Sequence, residues 1–203
     1  MLNKWNINVN VNGMPEKVAS AFCDLTNAMV GAEYSPIAYL GTQQANGINH
    51  AILAEQVLVH GRDSHNVVVM ILNERPEGFS IVGIERVVEG GMPMGGVHVQ
   101  PMTDIPEDAA AAWNEAFSAY VGAEVLPFAL LGTQPVCGGN YIFAATLKPV
   151  LPASEIKVVL VTINPASGTL TIADLLPNRH EASLGYAFTW LPGGLGKPLG
   201  EWP

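Results

Sequence analysis

The chain has 203 residues, 49% of them hydrophobic and 13% charged, with a net charge of −9 and a pI near 4.9. That supplies apolar material for one large domain or two of about 100 residues, which excludes a disordered chain. The acidic balance, with no stripe of Lys or Arg to offset it, argues against nucleic acid and against a membrane surface as partners.

The opening residues, Met1-Leu-Asn-Lys-Trp-Asn-Ile-Asn8, hold no basic region followed by an apolar run, so no secretory leader is expected and the cytoplasm is the simplest location. Trp5, Ile7, Val9 and Val11 then alternate with Asn6, Asn8, Asn10 and Asn12, the period of a strand with one buried face. Residues 15–30 form a helix, with Pro15 at its first position and Val18, Phe22, Leu25 and Met29 as one apolar stripe. Gly31 follows where a left-handed cap is usual. Strands are expected at 34–43, 49–59, 65–73 and 79–87. A Gly-containing turn joins the first two, and Asn73-Glu-Arg-Pro-Glu-Gly78 joins the last two.

The second half repeats this order. With residue i set against i+91, residues 15–54 align with 106–145 without a gap, and 18 of 40 positions are identical. Ala109, Trp113, Ala116 and Tyr120 reproduce the apolar stripe, with Gly122 behind it. Strands follow at 125–134, 140–147, 156–164 and 169–176, and Val97 and Val99 stand for the first strand. Glu89-Gly-Gly-Met-Pro-Met-Gly-Gly96 reads as a linker, and residues 191–203 are too rich in Gly and Pro for regular structure. The expected domains are 1–90 and 91–203, the second with that tail. Each is one helix packed on a four- to five-stranded antiparallel sheet, an α+β architecture built twice.

Residues 125–147 carry no charge, but Pro127, Gln134, Pro135, Gly138, Gly139 and Asn140 interrupt them, so a buried hairpin is expected rather than a spanning helix. The two cysteines, Cys23 and Cys137, fall at non-equivalent places and suggest no disulfide framework. His60-Gly-Arg-Asp-Ser-His65 lacks further ligands for a metal, and no catalytic set assembles elsewhere. The expectation is a protein that is not an enzyme and holds no metal or cofactor.

One stretch occurs twice: Gln43-Gln-Ala-Asn-Gly-Ile-Asn-His50 and Gln134-Pro-Val-Cys-Gly-Gly-Asn-Tyr141. The second resembles the signature of the cystatins, Gln-Val-Val-Ala-Gly followed by a small residue, Asn and Tyr. Met92-Pro-Met-Gly-Gly-Val97 looks like the N-terminal trunk of their disulfide-free stefin branch. The resemblance implies two tandem cystatin-like domains and an inhibitor of papain-like cysteine proteases, which works by filling the protease cleft with three loops. On that resemblance the loops are Gly95 and Gly96; Gln134, Pro135, Val136, Cys137 and Gly138; and Asn164, Pro165, Ala166, Ser167 and Gly168. In the first copy the corresponding hairpin is Gln43, Gln44, Ala45, Asn46 and Gly47. Pro135 and Cys137 stand where the family has Val and Ala, and Gln44 and Asn46 are polar where it has apolar residues.

A plainer reading of the same residues gives Gln, Gly and Asn a role in turn geometry alone. An alternative function follows from it: a structural or assembly protein whose duplicated sheets pack on each other or on a second chain. A homo-oligomer is compatible with either reading.

Overall fold

The structure is a computed structural model that describes residues 4–59, 65–91, 95–151, 154–176 and 186–189. The chain divides into two compact units, Met1–Pro93 with Val97–Pro101, and Met94–Gly96 with Met102–Pro203.

In the first half, strand β1 (Trp5–Asn10) leads into helix α1 (Glu16–Asn27), followed by β2 (Ala32–Ala45), β3 (Gly47–Leu58), β4 (His65–Arg75) and β5 (Gly78–Glu89). The five strands form one sheet in sequence order. The second half gives β6 (His98–Met102), α2 (Glu107–Phe117), β7 (Ala123–Gln134), β8 (Asn140–Pro149), β9 (Lys157–Asn164), β10 (Thr169–Asp174) and β11 (Tyr186–Thr189). Its sheet has the order β6-β7-β8-β9-β10-β11. The uncharged segment is therefore the β7–β8 hairpin, and among the described residues no helix is long and apolar enough to cross a membrane.

Each helix lays its stripe on its own sheet. Val18 and Phe22 are buried with Tyr39, Ile52, Ala54, Val68, Met70 and Leu72. Ala109, Trp113 and Ala116 are buried with Leu130, Phe143, Val161 and Ile163, among others. Both helices are shorter than expected. They stop at Asn27 and Phe117, and Pro15 and Pro106 sit just outside them as caps. Gly31 (φ 93°) and Gly122 (φ 103°) serve the next element instead, since their carbonyls accept the N–H of Val59 and of Val150, each at 3.0 Å.

The α+β expectation is overturned. Strands make up 59% of the described residues and helix only 14%, so the described structure is mostly β, and its second sheet has six strands rather than four or five. The cause is visible in the burial pattern. Five consecutive residues of β3, His50 to Ala54, are buried, as are Asn66 to Met70 of β4. Successive strand residues point to opposite faces, so the face turned away from the helix is covered too. Ala51, Leu53 and Val67 are fully buried there, as are Leu131 and Ala144 in the second unit. A helix of 11 or 12 residues covers only one face of such a sheet.

The duplication reaches into irregularities. The β2–β3 register slips between Pro36 and Ala38 and between Tyr39 and Gly41. The β7–β8 register slips at Pro127/Ala129 and Leu130/Gly132, 91 residues later. A proline cannot donate to the ladder, and a bulge absorbs the missing bond.

The linker expected from Glu89 begins later. Strand β5 reaches Glu89, and Gly90 bridges to Val97. Residues 92–94, and the tail at 191–203, fall outside the described residues.

Candidate functional site

The recurring Gln and Asn side chains lie across the sheets as a hydrogen-bonded row. In the second unit Gln134 faces Asn140 in the β7–β8 pairing. Asn140 Nδ2 donates to Gln134 Oε1 at 2.7 Å, and Asn164 Nδ2 donates to Asn140 Oδ1 at 2.8 Å. Gln134 Nε2 reaches back to the Gly95 carbonyl at 2.7 Å. Asn164 Nδ2 also donates to the Cys137 carbonyl at 3.1 Å, and the Ser167 N–H donates to Asn164 Oδ1 at 2.9 Å. The three segments expected to act together thus meet at one end of the second unit.

Their side chains do not all face outward. Pro135, Val136, Cys137 and Gly138 are exposed, as are Ala166 and Ser167. Gly95, Gly96, Gln134, Asn164 and Pro165 are half-buried, and Gly168 is buried. The first hairpin is a tight turn closed by the Gly139 N–H donating to the Val136 carbonyl at 2.8 Å, with Gly138 at φ 88° and Gly139 at φ 67°. Gly138 also needs to lack a side chain. A methyl group there would run into the Ala166 Cβ and lie 2.9 Å from Asn164 Oδ1. The glycine therefore sets both the turn and the contact between the two hairpins.

The first unit builds the same row with another finish. Asn49 Nδ2 donates to Gln43 Oε1 at 3.1 Å, and Asn73 Nδ2 donates to Asn49 Oδ1 at 2.7 Å. Asn73 Oδ1 accepts from Arg75 Nε at 2.8 Å, and the same Nε lies 3.1 Å from the Asn46 carbonyl. Gln44, Ala45 and Asn46 are exposed, while Gly47 (φ 102°) is half-buried against Arg75 and the Glu74 carbonyl.

Sequence reasoning missed a polar chain beside this hairpin that runs from buried Tyr39 and His50 out to exposed Lys17. His50 is 4% exposed. Its Nε2 lies 2.9 Å from Glu74 Oε2, and its Nδ1 lies 2.9 Å from the Tyr39 hydroxyl. A carboxylate only accepts, so Nε2 carries the proton and, in the neutral ring, Nδ1 accepts from Tyr39. Lys17 Nζ donates to Glu74 Oε1 at 2.6 Å. Lys17 first, and then His50, hold the Glu74 carboxyl below the usual carboxylate range. Burial, and then Glu74, push the Tyr39 hydroxyl up. The second unit has Asp108, Leu130, Tyr141 and Pro165 at the equivalent positions, and there the Tyr141 hydroxyl donates to Asp108 Oδ2 at 2.9 Å.

Because the folded Glu74 pKa lies below its ordinary 4.5, its contribution to stability is complete above that value and is lost as the pH falls through the folded pKa. Glu74→Gln is expected to flatten that part of the stability profile. Urea unfolding of both proteins from pH 7 to about pH 3 checks it, and parallel curves below pH 4.5 would contradict it.

An open cavity of about 340 Å³ in the first unit is lined by Glu55, His65, His98 and Gln100, among others. His65 Nδ1 donates to Glu55 Oε1 at 2.7 Å. His60 and Asp63 fall outside the described residues, and among those described no three His, Cys, Asp or Glu side chains are grouped to hold a metal ion. Cys23 and Cys137 are both free and exposed.

The loop end carries no charged side chain at 135–138 or 165–168. It presents small and apolar groups on hairpins whose backbone is tied from beneath. No protein-family model matches this chain, and neither a curated protein nor a solved structure does.

Proposed function

We propose that the loop end of the second unit is a non-enzymatic protein-binding surface, and that its partner is the cleft of a papain-like cysteine protease. The observation that carries this reading is the row Gln134–Asn140–Asn164, which ties Gly95, the Cys137 turn and Ser167 into one end of the unit. The resemblance of Gln134-Pro-Val-Cys-Gly-Gly-Asn-Tyr141 to the cystatin signature names the class of partner. Physical arguments support it. Neither 135–138 nor 165–168 contains a charged residue, so entering an apolar cleft strands no charge. Loops already fixed by hydrogen bonds lose little freedom on binding. The contact falls on Pro135, Val136, Cys137, Gly138, Ala166 and Ser167, while Gln134 and Asn164 work from below.

The test is a titration of papain with the full chain, followed by hydrolysis of a fluorogenic peptide. Saturable inhibition, with a Kd between about 1 nM and 1 µM, is expected. No inhibition at 100-fold higher concentration would sink the protease reading. The other reading, a structural module without protease inhibition, is favoured by one observation: the helix-free face of each sheet is also buried.

A further inference from the structure

We propose that Asn164 is the positioning residue of the loop end, the single side chain through which the first hairpin, the second hairpin and the trunk are held in register. One carboxamide bonds both hairpins directly and reaches the trunk through Asn140 and Gln134. Its two Nδ2 hydrogens go to separate segments, one to the Cys137 carbonyl in the first turn and one to Asn140 Oδ1. The Asn140 bond continues through Gln134 to the Gly95 carbonyl. Its Oδ1 accepts the Ser167 N–H of the second turn. Both donor hydrogens and the acceptor are therefore committed, and no other residue type offers two donors and an acceptor on so short an arm.

The first unit shows that this triple use is a particular arrangement. Asn73 makes the same bond to Asn49, but its Oδ1 receives Arg75, whose Nε also lies within reach of the Asn46 carbonyl. There an arginine closes the hairpin. In the second unit position 166 is Ala, and the closure falls to Asn164 itself. The consequence for binding rests on the function proposed above, whereas the coupling between hairpins can be measured without a partner.

Asn164→Asp separates the arms of the carboxamide. The variant keeps the acceptor for Ser167 but loses both donors and turns a negative oxygen toward two other oxygens. In the full chain, amide exchange at Gly139 is expected to rise about tenfold or more, while Ser167 stays protected and strand-centre amides such as Phe143 are unchanged. Asn164→Ala, which removes donors and acceptor together and serves if the aspartate variant does not fold, is expected to free both Gly139 and Ser167. In a Cys23→Ser background, thiol labelling of Cys137 is expected to accelerate in both variants. Equal exchange changes at Gly139 and Ser167 in Asn164→Asp, or no change in either variant, overturn the proposal. Papain inhibition is expected to weaken about tenfold in Asn164→Asp. If the wild-type chain does not inhibit papain while the exchange pattern appears, the protease reading fails and the positioning role stands.

Discussion

Replacing Gly138 by Trp is expected to lower the stability of the protein by about 3 kcal/mol and to abolish the seating of the first hairpin on the second. At φ 88° any other residue is strained, and the space its Cβ needs is taken by Ala166 and by Asn164 Oδ1. Those neighbours are a backbone-fixed methyl and a committed acceptor, so neither can yield cheaply. Gly139 is the control. Its φ is also positive, at 67°, yet nothing lies within 4 Å of a Cβ placed there. Gly139→Ala should therefore cost only about 1 kcal/mol. Urea unfolding of both variants measures the difference. Equal costs would show that the turn conformation alone matters, and that the two hairpins do not depend on close approach. The result also bears on function, because a bulky residue at Gly138 disturbs the platform itself and cannot serve as a selective block on binding.

Trp113→Ala is expected to cost about 4 kcal/mol, among the largest effects of any single truncation in the second unit. Trp113 is 5% exposed and anchors α2 to its sheet. Its ring stacks on Phe117 with centroids 4.4 Å apart and meets Phe143 edge-on at 5.0 Å. Truncation removes both ring contacts and leaves a void that the helix, held at one end by its connection to β7, fills only in part. Phe117→Ala is the comparison, since Phe117 is half-buried at the margin of the same cluster. It should cost no more than half as much. Thermal unfolding followed by far-ultraviolet circular dichroism reads both without relying on tryptophan emission. A loss below about 1.5 kcal/mol for Trp113→Ala would mean that α2 is not the principal cover of its sheet face.

Much of this organisation was legible in the sequence. The 91-residue repeat places every pair of equivalent strands, because hydrophobic period and turn chemistry are local signals. Helix length was less legible. Gly31 and Gly122 look like terminators, yet they serve the carbonyl contacts to Val59 and Val150, and the helices have already ended. The excess of strand over helix was signalled in Val67-Val-Val-Met-Ile-Leu72, a run without alternation, as a sheet buried on both faces requires. An α+β expectation with one covered face overlooks it.

At the loop end, the choice of segments followed from motif and repeat, but the direction of each side chain did not. Gln134 and Asn164 both turn toward Asn140 on the strand between them, and pairing register is not a local property. The chain Tyr39–His50–Glu74–Lys17 was invisible for the same reason. His50 stands 11 residues from Tyr39 and 24 from Glu74, while Lys17 and Glu74 are 57 apart. No short spacing announces such a cluster.

That cluster has a consequence for how the two copies can be exchanged. Tyr39, His50, Glu74 and Lys17 correspond to Leu130, Tyr141, Pro165 and Asp108, so all four positions differ together. Changing Tyr39 or Glu74 alone strands a partner. Tyr39→Leu leaves His50 Nδ1 facing a hydrocarbon, and Glu74→Pro leaves both Nε2 and Lys17 without their acceptor. A series of single substitutions from the first copy toward the second that begins at Tyr39 or Glu74 therefore loses stability at that step. A chimera that transplants the four positions as a block avoids that loss, which makes the quartet, rather than the residue, the unit of interchange between the two copies.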